Sequence, residues 1–330
     1  MISIITGAGG FIGSHLAKYL KAQGHTVIGV DIKRPEFDVT ACDEFWLRDI
    51  RDYDVLPFYH YRHDESLWFW ALAANMGGME FLHGNDATIL YDNAKINLNT
   101  LEWARELRAS RYLFSSSACV YPETLQLEED VIPLKEIDAY PAWPDLEYGW
   151  EKLFTERVVS AYGRDYDMET RIVRFHNVYG INTQWNGVRA KAPAALSRKV
   201  AVAKLCGHDH ISVFGDGKQT RTYMSIEDCL EGIWRLMNSD FPMPVNLGRD
   251  ELISVDDLAK TLMEIAGVDL QIEHDLTKPQ GVRGRSSDNA LVRKLFDWQP
   301  PTDLKTGLTT LYNWVENEVK AALERGESVV

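Results

Sequence analysis

The sequence predicts an α/β protein in which a doubly wound parallel sheet is joined to a smaller C-terminal α/β substrate-binding domain. Three observations support this prediction. A short β-branched strand, a glycine-rich turn and an amphipathic segment open the chain at residues 2–6, 7–10 and 11–23. Strand-like and helix-like segments then alternate over about the first 180 residues, which indicates helices on both faces of one sheet. The segment SLWFWALAA is apolar at successive positions, as in a parallel strand covered on both sides.

The N-terminal half supplies the elements of this sheet in order. Strands are predicted at Ile2–Thr6, His25–Asp31, Ser66–Ala74, Arg111–Ser117 and Met168–Phe175. Helices are predicted at Phe11–Gln23, Asn93–Leu107 and Tyr148–Tyr162. This order is typical of a Rossmann-type dinucleotide-binding domain, which we expect at residues 1–180.

The pattern loosens beyond Gly180 into longer loops and separate amphipathic segments. Helices are predicted at Pro193–Cys206, Glu227–Asn238, Val255–Ala266 and Leu304–Ala322, with Ser254 as the N-cap of the third. No linker rich in proline, serine or glycine separates the halves. We therefore expect residues 181–330 to form mainly the substrate-binding domain, with segments from about 215–250 returning to the first domain.

Composition and charge exclude several classes of partner. The net charge of -14 disfavours binding to nucleic acid or to an anionic membrane. No signal peptide or long apolar span is apparent, so a cytoplasmic location is expected. The four cysteines are scattered singly, which argues against disulfides and zinc sites. The pairs His60/His63 and His208/His210 lack nearby cysteine partners, so no metal site is predicted.

The glycine-rich turn predicts a binding site for a dinucleotide. Gly7, Gly10 and Gly13 stand at G-x-x-G-x-x-G spacing between a strand and a helix, which lets a pyrophosphate approach the helix N-terminus. Asp31 ends the next strand, where a carboxylate accepts hydrogen bonds from a ribose diol. The same carboxylate repels a 2′-phosphate, so the sequence favours NAD over NADP.

Tyr148 and Lys152 are candidates for proton transfer. They are four residues apart, and therefore lie on one face of a helix. An ammonium beside a phenol lowers the phenol pKa from about 10, which makes the tyrosine a usable proton acceptor.

With these motifs the chain resembles the extended short-chain dehydrogenase/reductase family, whose members act on nucleotide sugars. The resemblance rests on TGAGGFIG, LAA at 72–74, SSSACVYP, the Tyr148/Lys152 pair, RFHNVYG and GDGKQTRTY. Longer pieces, ANMGGMEF, RAKAPAA and GVRGRSSDN, are similar to members that invert ring carbons of GDP-hexoses. The resemblance spans nearly the whole chain and implies NAD as cofactor, a GDP-sugar substrate, and a homodimer packed through the helices at 93–107 and 148–162.

The resemblance also implies catalytic roles. Tyr148, with Lys152 beside it, takes the proton of the sugar 4-hydroxyl while C4 passes hydride to NAD, and Ser117 hydrogen-bonds the 4-oxygen. The ketone acidifies the hydrogens on C3 and C5, which Cys119 and Lys191 exchange from opposite faces of the ring. The implied reaction converts GDP-D-mannose into GDP-L-galactose, with GDP-L-gulose as the product of inversion at C5 alone.

Two sets of ligand-binding residues complete the prediction. The cofactor set is Gly7, Gly10, Phe11, Ile12, Gly13, Asp31, Asp49, Ile50, Leu72, Ala73, Tyr148 and Lys152. The substrate set implied by the resemblance is Gly77, Gly78, Ser117, Asn177, Lys191, Lys199, Gln219, Arg221, Arg283 and Arg285. Asn177 is equally typical of a turn-capping residue, and either Arg283 or Arg285 is expected to join Arg221 on the diphosphate.

Departures from the family pattern leave alternatives open. Asn75 stands where an aspartate is usual, and Val188 and Ala190 stand where glycine and an acid are usual. Because these positions border the expected sugar pocket, a related GDP-hexose or GDP-heptose stays open as substrate. A nucleotide-sugar 4-epimerase or 4,6-dehydratase would share Tyr148 and Lys152 without needing the Cys119/Lys191 pair. A non-catalytic NAD-binding sensor or scaffold is the third hypothesis.

Overall fold

A central parallel sheet organises the protein, as described here in a computed structural model that covers residues 1–53, 61, 67–166 and 168–329. Its strands are β1 Ile2–Thr6, β2 Thr26–Asp31, β3 Glu44–Leu47, β4 Leu67–Ala71, β5 Arg111–Ser117, β6 Glu169–Phe175 and β11 Pro244–Leu247. Among the described residues, these seven parallel strands form the sheet in the order β11-β6-β5-β4-β1-β2-β3. The doubly wound prediction is confirmed.

Helices cover both faces of this sheet. Their bounds are α1 Phe11–Ala22, α2 Met79–Leu82, α3 Asp86–Glu106, α4 Glu147–Asp165 and α6 Ile226–Asn238. Successive residues of a strand are buried on opposite faces of the sheet. Ile5 packs in the core beneath α1 and α6, whereas Ile4 packs in the core beneath α3 and α4. This two-sided burial explains why the strands are apolar at successive positions.

Several of the remaining elements pack into a second core. Its helices are α5 Ala192–Cys206, α7 Val255–Ala266 and α9 Leu304–Glu324, beside the paired strands β8 His210–Phe214 and β13 Gln271–Asp275. The short elements are β7 Val178–Tyr179, β9 Thr220–Arg221, β10 Met224–Ser225, β12 Ile253–Ser254, β14 Gly284–Arg285 and α8 Ala290–Phe296. The Ser254 side chain accepts from the backbone N–H of Asp257, which confirms the predicted N-cap.

Several elements of the structure differ from the prediction or were not predicted. Strand β3 was not predicted, and α3 begins at Asp86 rather than at Asn93. Strand β11, from the segment expected to return, pairs with β6 at the sheet edge. Ser66, His60 and His63 lie outside the described residues. The exact domain boundaries stay a prediction.

The strand order places a crevice at the centre of the sheet. β1 lies between β2 and β4, and the chain winds outward from it in both directions. Ligands of doubly wound proteins bind where the order reverses, beyond the carboxyl ends of the strands. In the described part of the chain, no helix is both long and apolar enough to span a bilayer.

Candidate active site

A cavity of about 1100 Å³ occupies this crevice and extends between the two cores. Of the residues predicted from the sequence, all except Arg283 line it. The Arg283 guanidinium instead pairs with Asp216, at 2.8 Å, and with Glu129. Of the two alternatives expected to join Arg221 at the diphosphate, only Arg285 lines the cavity, as Arg221 does.

The glycine turn fits a dinucleotide because there is no room for side chains at the turn. Gly7 has a φ of +79°, and a Cβ there would lie 2.8 Å from the Ala73 backbone nitrogen. A Cβ on Gly13 would collide with the Gly7 carbonyl oxygen. The backbone is thus bare where a pyrophosphate approaches the start of α1.

Asp31 lies at the end of β2, on the ribose side of the glycine turn. Its carboxylate accepts the backbone N–H of Gly9 at 2.9 Å and that of Lys33 at 3.1 Å. Burial raises the pKa of Asp31, and these backbone hydrogen bonds oppose the shift. The residues present fit NAD, because a carboxylate is fixed at the position that reads a ribose diol.

The end of β5 and the start of α4 meet at the catalytic residues. The Ser117 hydroxyl accepts the backbone N–H of Cys119 at 3.2 Å, which caps the turn after the strand. A Cβ on Gly149 would collide with the Cys119 carbonyl oxygen. Glycine at that position lets α4 press against the turn, and this packing brings Tyr148 within hydrogen-bond reach of Ser117.

The expectation that the lysine lowers the pKa of the phenol is wrong. Burial raises the pKa of Tyr148, and the negative charges of Cys119 and Glu151 add to that shift. The Lys152 ammonium lies 5.6 Å from the Tyr148 ring centroid and donates to the Ser115 carbonyl at 2.9 Å. Burial also lowers the pKa of Lys152. Desolvation is the largest cause of both pKa shifts.

Cys119 and Lys191 face the same cavity. The Arg285 guanidinium donates to the Cys119 sulfur at 3.2 Å and pairs with Asp145 at 3.3 Å. Lys191 precedes α5 as its N-cap residue. Its side chain is open to the cavity, yet the surrounding walls desolvate the ammonium and lower the pKa of Lys191, while the charge of Cys119 acts to raise it. The lowered pKa is the direction expected for a proton-exchanging lysine.

Basic groups also line the cavity. Burial and the nearby Arg285 charge lower the pKa of Arg221 to about 10. Burial and two neighbouring cations lower the pKa of Lys199 to about 8, and its ammonium stacks 4.4 Å from the Phe214 ring centroid. The side-chain oxygen Oε1 of Gln219 is buried without a hydrogen-bond partner among the described residues. An unpaired acceptor beside two cations suits a ligand with both phosphates and N–H donors.

Asn177 keeps both of its expected features. It lines the cavity and has a φ of +44°, a conformation that asparagine tolerates in turns. Its amide donates to the Thr222 carbonyl at 3.0 Å. The turn role is thus visible in the structure, while a contact with substrate stays a prediction.

Gly77 and Gly78 do more than leave space for a sugar. A Cβ on Gly77 would lie 2.9 Å from Phe81 Cβ and 3.1 Å from Arg189 Cγ, and a Cβ on Gly78 would lie 2.6 Å from the Ala190 carbonyl oxygen. The two glycines therefore admit the segment that carries Lys191.

Sequence analysis missed several polar cavity residues. Asp145, Arg51 and Asp92 line the cavity, and each forms an ion pair within the wall. The carboxylate three residues before Tyr148 was a possible signal for Asp145, whereas Arg51 and Asp92 lie in segments without a motif. Among the described residues, no cluster of three potential metal ligands occurs.

Comparisons with known proteins agree with this site. A family model described as the NAD dependent epimerase/dehydratase family matches residues 3–248. The chain is 42% identical to GDP-mannose 3,5-epimerase 1 of Oryza sativa subsp. indica, covering 98% of this chain and 84% of the relative. It is also 42% identical to GDP-mannose 3,5-epimerase of Arabidopsis thaliana, covering 98% of this chain and 85% of that relative.

Solved structures share the fold. The UDP-glucose 4-epimerase of Thermotoga maritima with UDP-glucose superposes with a TM-score of 0.84 at 23% identity, covering 97% of this chain and 100% of that one. The UDP-glucose 4-epimerase of Thermus thermophilus in complex with NAD gives a TM-score of 0.81 at 20% identity, covering 96% of this chain and 99% of that one. From the family match and the near full-length relatives, this chain belongs to the NAD-dependent epimerase/dehydratase family.

Proposed function

We propose that the protein is an NAD-dependent GDP-mannose 3,5-epimerase, which inverts C3 and C5 of GDP-D-mannose to give GDP-L-galactose, with GDP-L-gulose as the product of inversion at C5 alone. One observation carries the proposal. A thiol, Cys119, and an amine of lowered pKa, Lys191, line the same cavity as the tyrosine, serine and lysine of the hydride-transfer site. The near full-length identity of 42% to enzymes of that name supports the choice of substrate.

The first step acts on the sugar C4 hydroxyl. NAD, when bound, supplies a hydride acceptor for C4 and a positive charge near the phenol. Tyr148 takes the hydroxyl proton, and Ser117, already within reach of that phenol, hydrogen-bonds the oxygen as it becomes a ketone. The buried Lys152, held by the Ser115 carbonyl, keeps a cation on the same helix face, 5.6 Å from the Tyr148 ring centroid.

The second step is proton exchange beside the ketone. A 4-ketone makes the hydrogens on C3 and C5 acidic, and each inversion removes a proton from one face and returns one to the other. The Cys119 sulfur and the Lys191 nitrogen are the candidate base and acid. Arg285 fixes the sulfur by donating to it at 3.2 Å. Tyr148 finally returns its proton to the 4-oxygen when C4 regains its hydride.

The basic and polar side chains of the cavity lining suit a guanosine diphosphate. Arg221 supplies a guanidinium group for the phosphates, Lys199 adds a second cation, and the charge of Arg285 lies near Arg221. The unpaired side-chain oxygen of Gln219 can accept hydrogen bonds from the N–H groups of guanine. These contacts belong to the proposal. Val188 and Ala190, which differ from the family pattern, leave a related GDP-hexose or GDP-heptose as the alternative substrate.

We also propose a homodimer built on α3 and α4, as the sequence resemblance implies. Their outward faces expose Tyr91, Leu98, Trp150 and Phe154, and an apolar patch of this kind is typical of a protein interface. The two helices are joined by a hydrogen bond from Asn97 to Glu151 at 2.6 Å. The cytoplasmic location stays a prediction.

Incubation of the purified enzyme with NAD and GDP-mannose in deuterium oxide tests the reaction. Product analysis by NMR should show deuterium at C3 and C5 and the signals of GDP-L-galactose. Inversion at C4 with deuterium at neither carbon would replace this proposal with a 4-epimerase, and loss of the 6-hydroxyl without inversion at C3 and C5 would replace it with a 4,6-dehydratase. NAD binding without turnover of any GDP-sugar would leave a sensor or scaffold.

A further inference from the structure

A continuous chain of polar contacts follows the cavity wall from the cofactor end to the segment that carries Lys191. The Arg51 guanidinium donates to Asp49 at 3.0 Å and to Asp92 at 2.9 Å. The Asn75 amide donates to Asp92 at 3.0 Å, and its oxygen accepts from Arg189 at 3.1 Å. All five residues line the cavity.

Arg189 is held by three separate contacts although it lies on the surface. Besides its bond to Asn75, it donates to the Met76 carbonyl at 2.7 Å, and its guanidinium stacks 3.8 Å above the Phe81 ring centroid. Gly77 lies beneath this stack, where a Cβ would come within 3.1 Å of Arg189 Cγ. Two hydrogen bonds together with stacking on the Phe81 ring define one orientation of the Arg189 guanidinium.

Lys191 is fixed on both sides of its backbone by these contacts. Arg189 precedes it by two residues, and the Ala190 carbonyl packs against Gly78. On its other side, α5 begins directly at Ala192. Lys191 therefore lies between the Arg189 contacts, which we call the Arg189 clamp, and the first residue of α5. Its backbone position depends on whether the Arg189 clamp stays formed.

An amide is the side chain that can connect the two parts of this chain. Asp92 can only accept, and Arg189 can only donate. Asn75 donates to the first through its nitrogen and accepts from the second through its oxygen. Its backbone is fixed as well, because its N–H donates to the Asn93 side chain at 2.6 Å and its carbonyl accepts from the same amide at 3.1 Å. A carboxylate at position 75 could not donate to Asp92.

We propose that Arg189 is a positioning residue for Lys191, and that Asn75 anchors it by linking it to the Asp92–Arg51–Asp49 chain at the cofactor end of the cavity. The proposal rests on the proposed function, in which Lys191 exchanges protons with the sugar ring. Arg189 itself touches no reacting atom. Its effect is to keep the lysine nitrogen within reach of the ring carbons.

The test compares the NAD-loaded enzyme with Arg189→Ala, using two readouts. The first is the rate of deuterium exchange at C3 and C5 of GDP-mannose, which we expect to fall by about 10- to 100-fold, because small misplacements of a catalytic group have such effects. The fall should be in kcat, with KM changed less than about threefold, since the contacts expected at the diphosphate remain. Arg325→Ala, which removes an arginine from a surface pair with Glu327, is the matched control.

The second readout is independent of turnover. The acylation rate of Lys191, followed by peptide mass spectrometry across a pH series, reports the pH midpoint of its amine. In Arg189→Ala we expect this midpoint to rise toward that of an unperturbed lysine, about 10.4, because the freed segment moves the ammonium away from the cavity walls that desolvate it. A wild-type enzyme without exchange would refute the proposed function, while the acylation midpoints would still test the clamp.

Two further variants separate a positioning role from a merely structural one. Arg189→Lys keeps the charge but lacks the planar fork needed for both hydrogen bonds, so its exchange rate should lie between wild type and Arg189→Ala. Asn75→Leu combined with Arg189→Ala should lose no more than about threefold beyond the worse single variant, because the two residues act through one contact. Exchange rates within twofold of wild type in Arg189→Ala, together with an unchanged pH midpoint of acylation, would overturn the proposal. So would fully additive losses in the double variant.

Discussion

The Arg285 guanidinium nitrogen Nη1 lies 3.2 Å from the Cys119 sulfur, although the two residues are 166 positions apart in the chain. Arg285 is buried, and its other nitrogens contact Gln126 and Asp145. A fixed positive charge therefore stands against the only thiol that lines the described part of the cavity. This arrangement orients the sulfur within the cavity and suits a role in proton exchange.

Cys119→Ala is expected to separate hydride transfer from inversion. Deuterium exchange at C3 and C5 should fall by about a thousandfold, within the range for loss of a general acid or base. Oxidation at C4 should persist, because Tyr148, Ser117 and Lys152 are untouched, and absorbance at 340 nm in single-turnover mixing measures it. Cys206→Ala, at an exposed cysteine outside the cavity lining, is the control. Undiminished exchange in Cys119→Ala would assign the inversion chemistry elsewhere.

Lys191→Arg tests whether the amine must lose its proton. Burial in the cavity lowers the pKa of Lys191, so a neutral amine forms at lower pH than for a solvated lysine. A guanidinium keeps the charge but stays protonated at every accessible pH. Exchange at C5 should therefore fall by about 100-fold or more between pH 7 and 9, measured by NMR in deuterium oxide. The surface variant Lys305→Arg should match wild type, and a Lys191→Arg enzyme that exchanges normally would limit Lys191 to binding.

Asp31→Ser should relax the choice of cofactor. The carboxylate lies where a 2′-phosphate would approach and is fixed by the backbone of Gly9 and Lys33. Removing its charge should narrow the ratio of NAD to NADP affinity by about tenfold, which corresponds to 1.4 kcal/mol. Titration of both dinucleotides by calorimetry measures this ratio. A ratio that stays as in wild type would show that Asp31 does not set the preference.

His176 should make the protein less stable in acid. Burial lowers its pKa to about 3, whereas an unfolded histidine titrates near 6.5. Between these values the unfolded state binds a proton that the folded state does not, so the free energy of unfolding falls as pH falls. The slope from this group approaches about 1.4 kcal/mol per pH unit.

Urea unfolding at pH 7, 6 and 5 measures that slope. His176→Gln keeps a donor toward Asn246, which His176 Nε2 contacts at 3.2 Å, but removes the titrating group. Its slope should be shallower than that of wild type, while His83→Gln, at an exposed position, should change nothing. Equal slopes for His176→Gln and wild type would show that other groups control acid stability.

Local motifs made much of the fold and site predictable, because they act through neighbours in sequence. The glycine turn and the Tyr148/Lys152 spacing each define one piece of backbone, and the structure has both pieces as predicted. The pKa of Tyr148 was mispredicted because burial, which a sequence does not display, raises it. Strand β3 escaped prediction because EFWL is short and only half-buried. The contact between Arg285 and Cys119 depends on tertiary packing alone.

Phe154→Glu should convert a dimer into a monomer. Phe154 is 50% exposed on α4, and Trp150 on the same helix is 39% exposed, so both aromatic groups face outward. Burying a glutamate in a symmetric interface places two like charges close together, since the same patch meets itself. Light scattering should give twice the chain mass of 37.6 kDa for wild type and the single mass for Phe154→Glu. Leu323→Glu, on the exposed side of α9, is the matched control. A wild-type chain of monomer mass, or a Phe154→Glu variant that stays dimeric, would rule out this helix face as the interface.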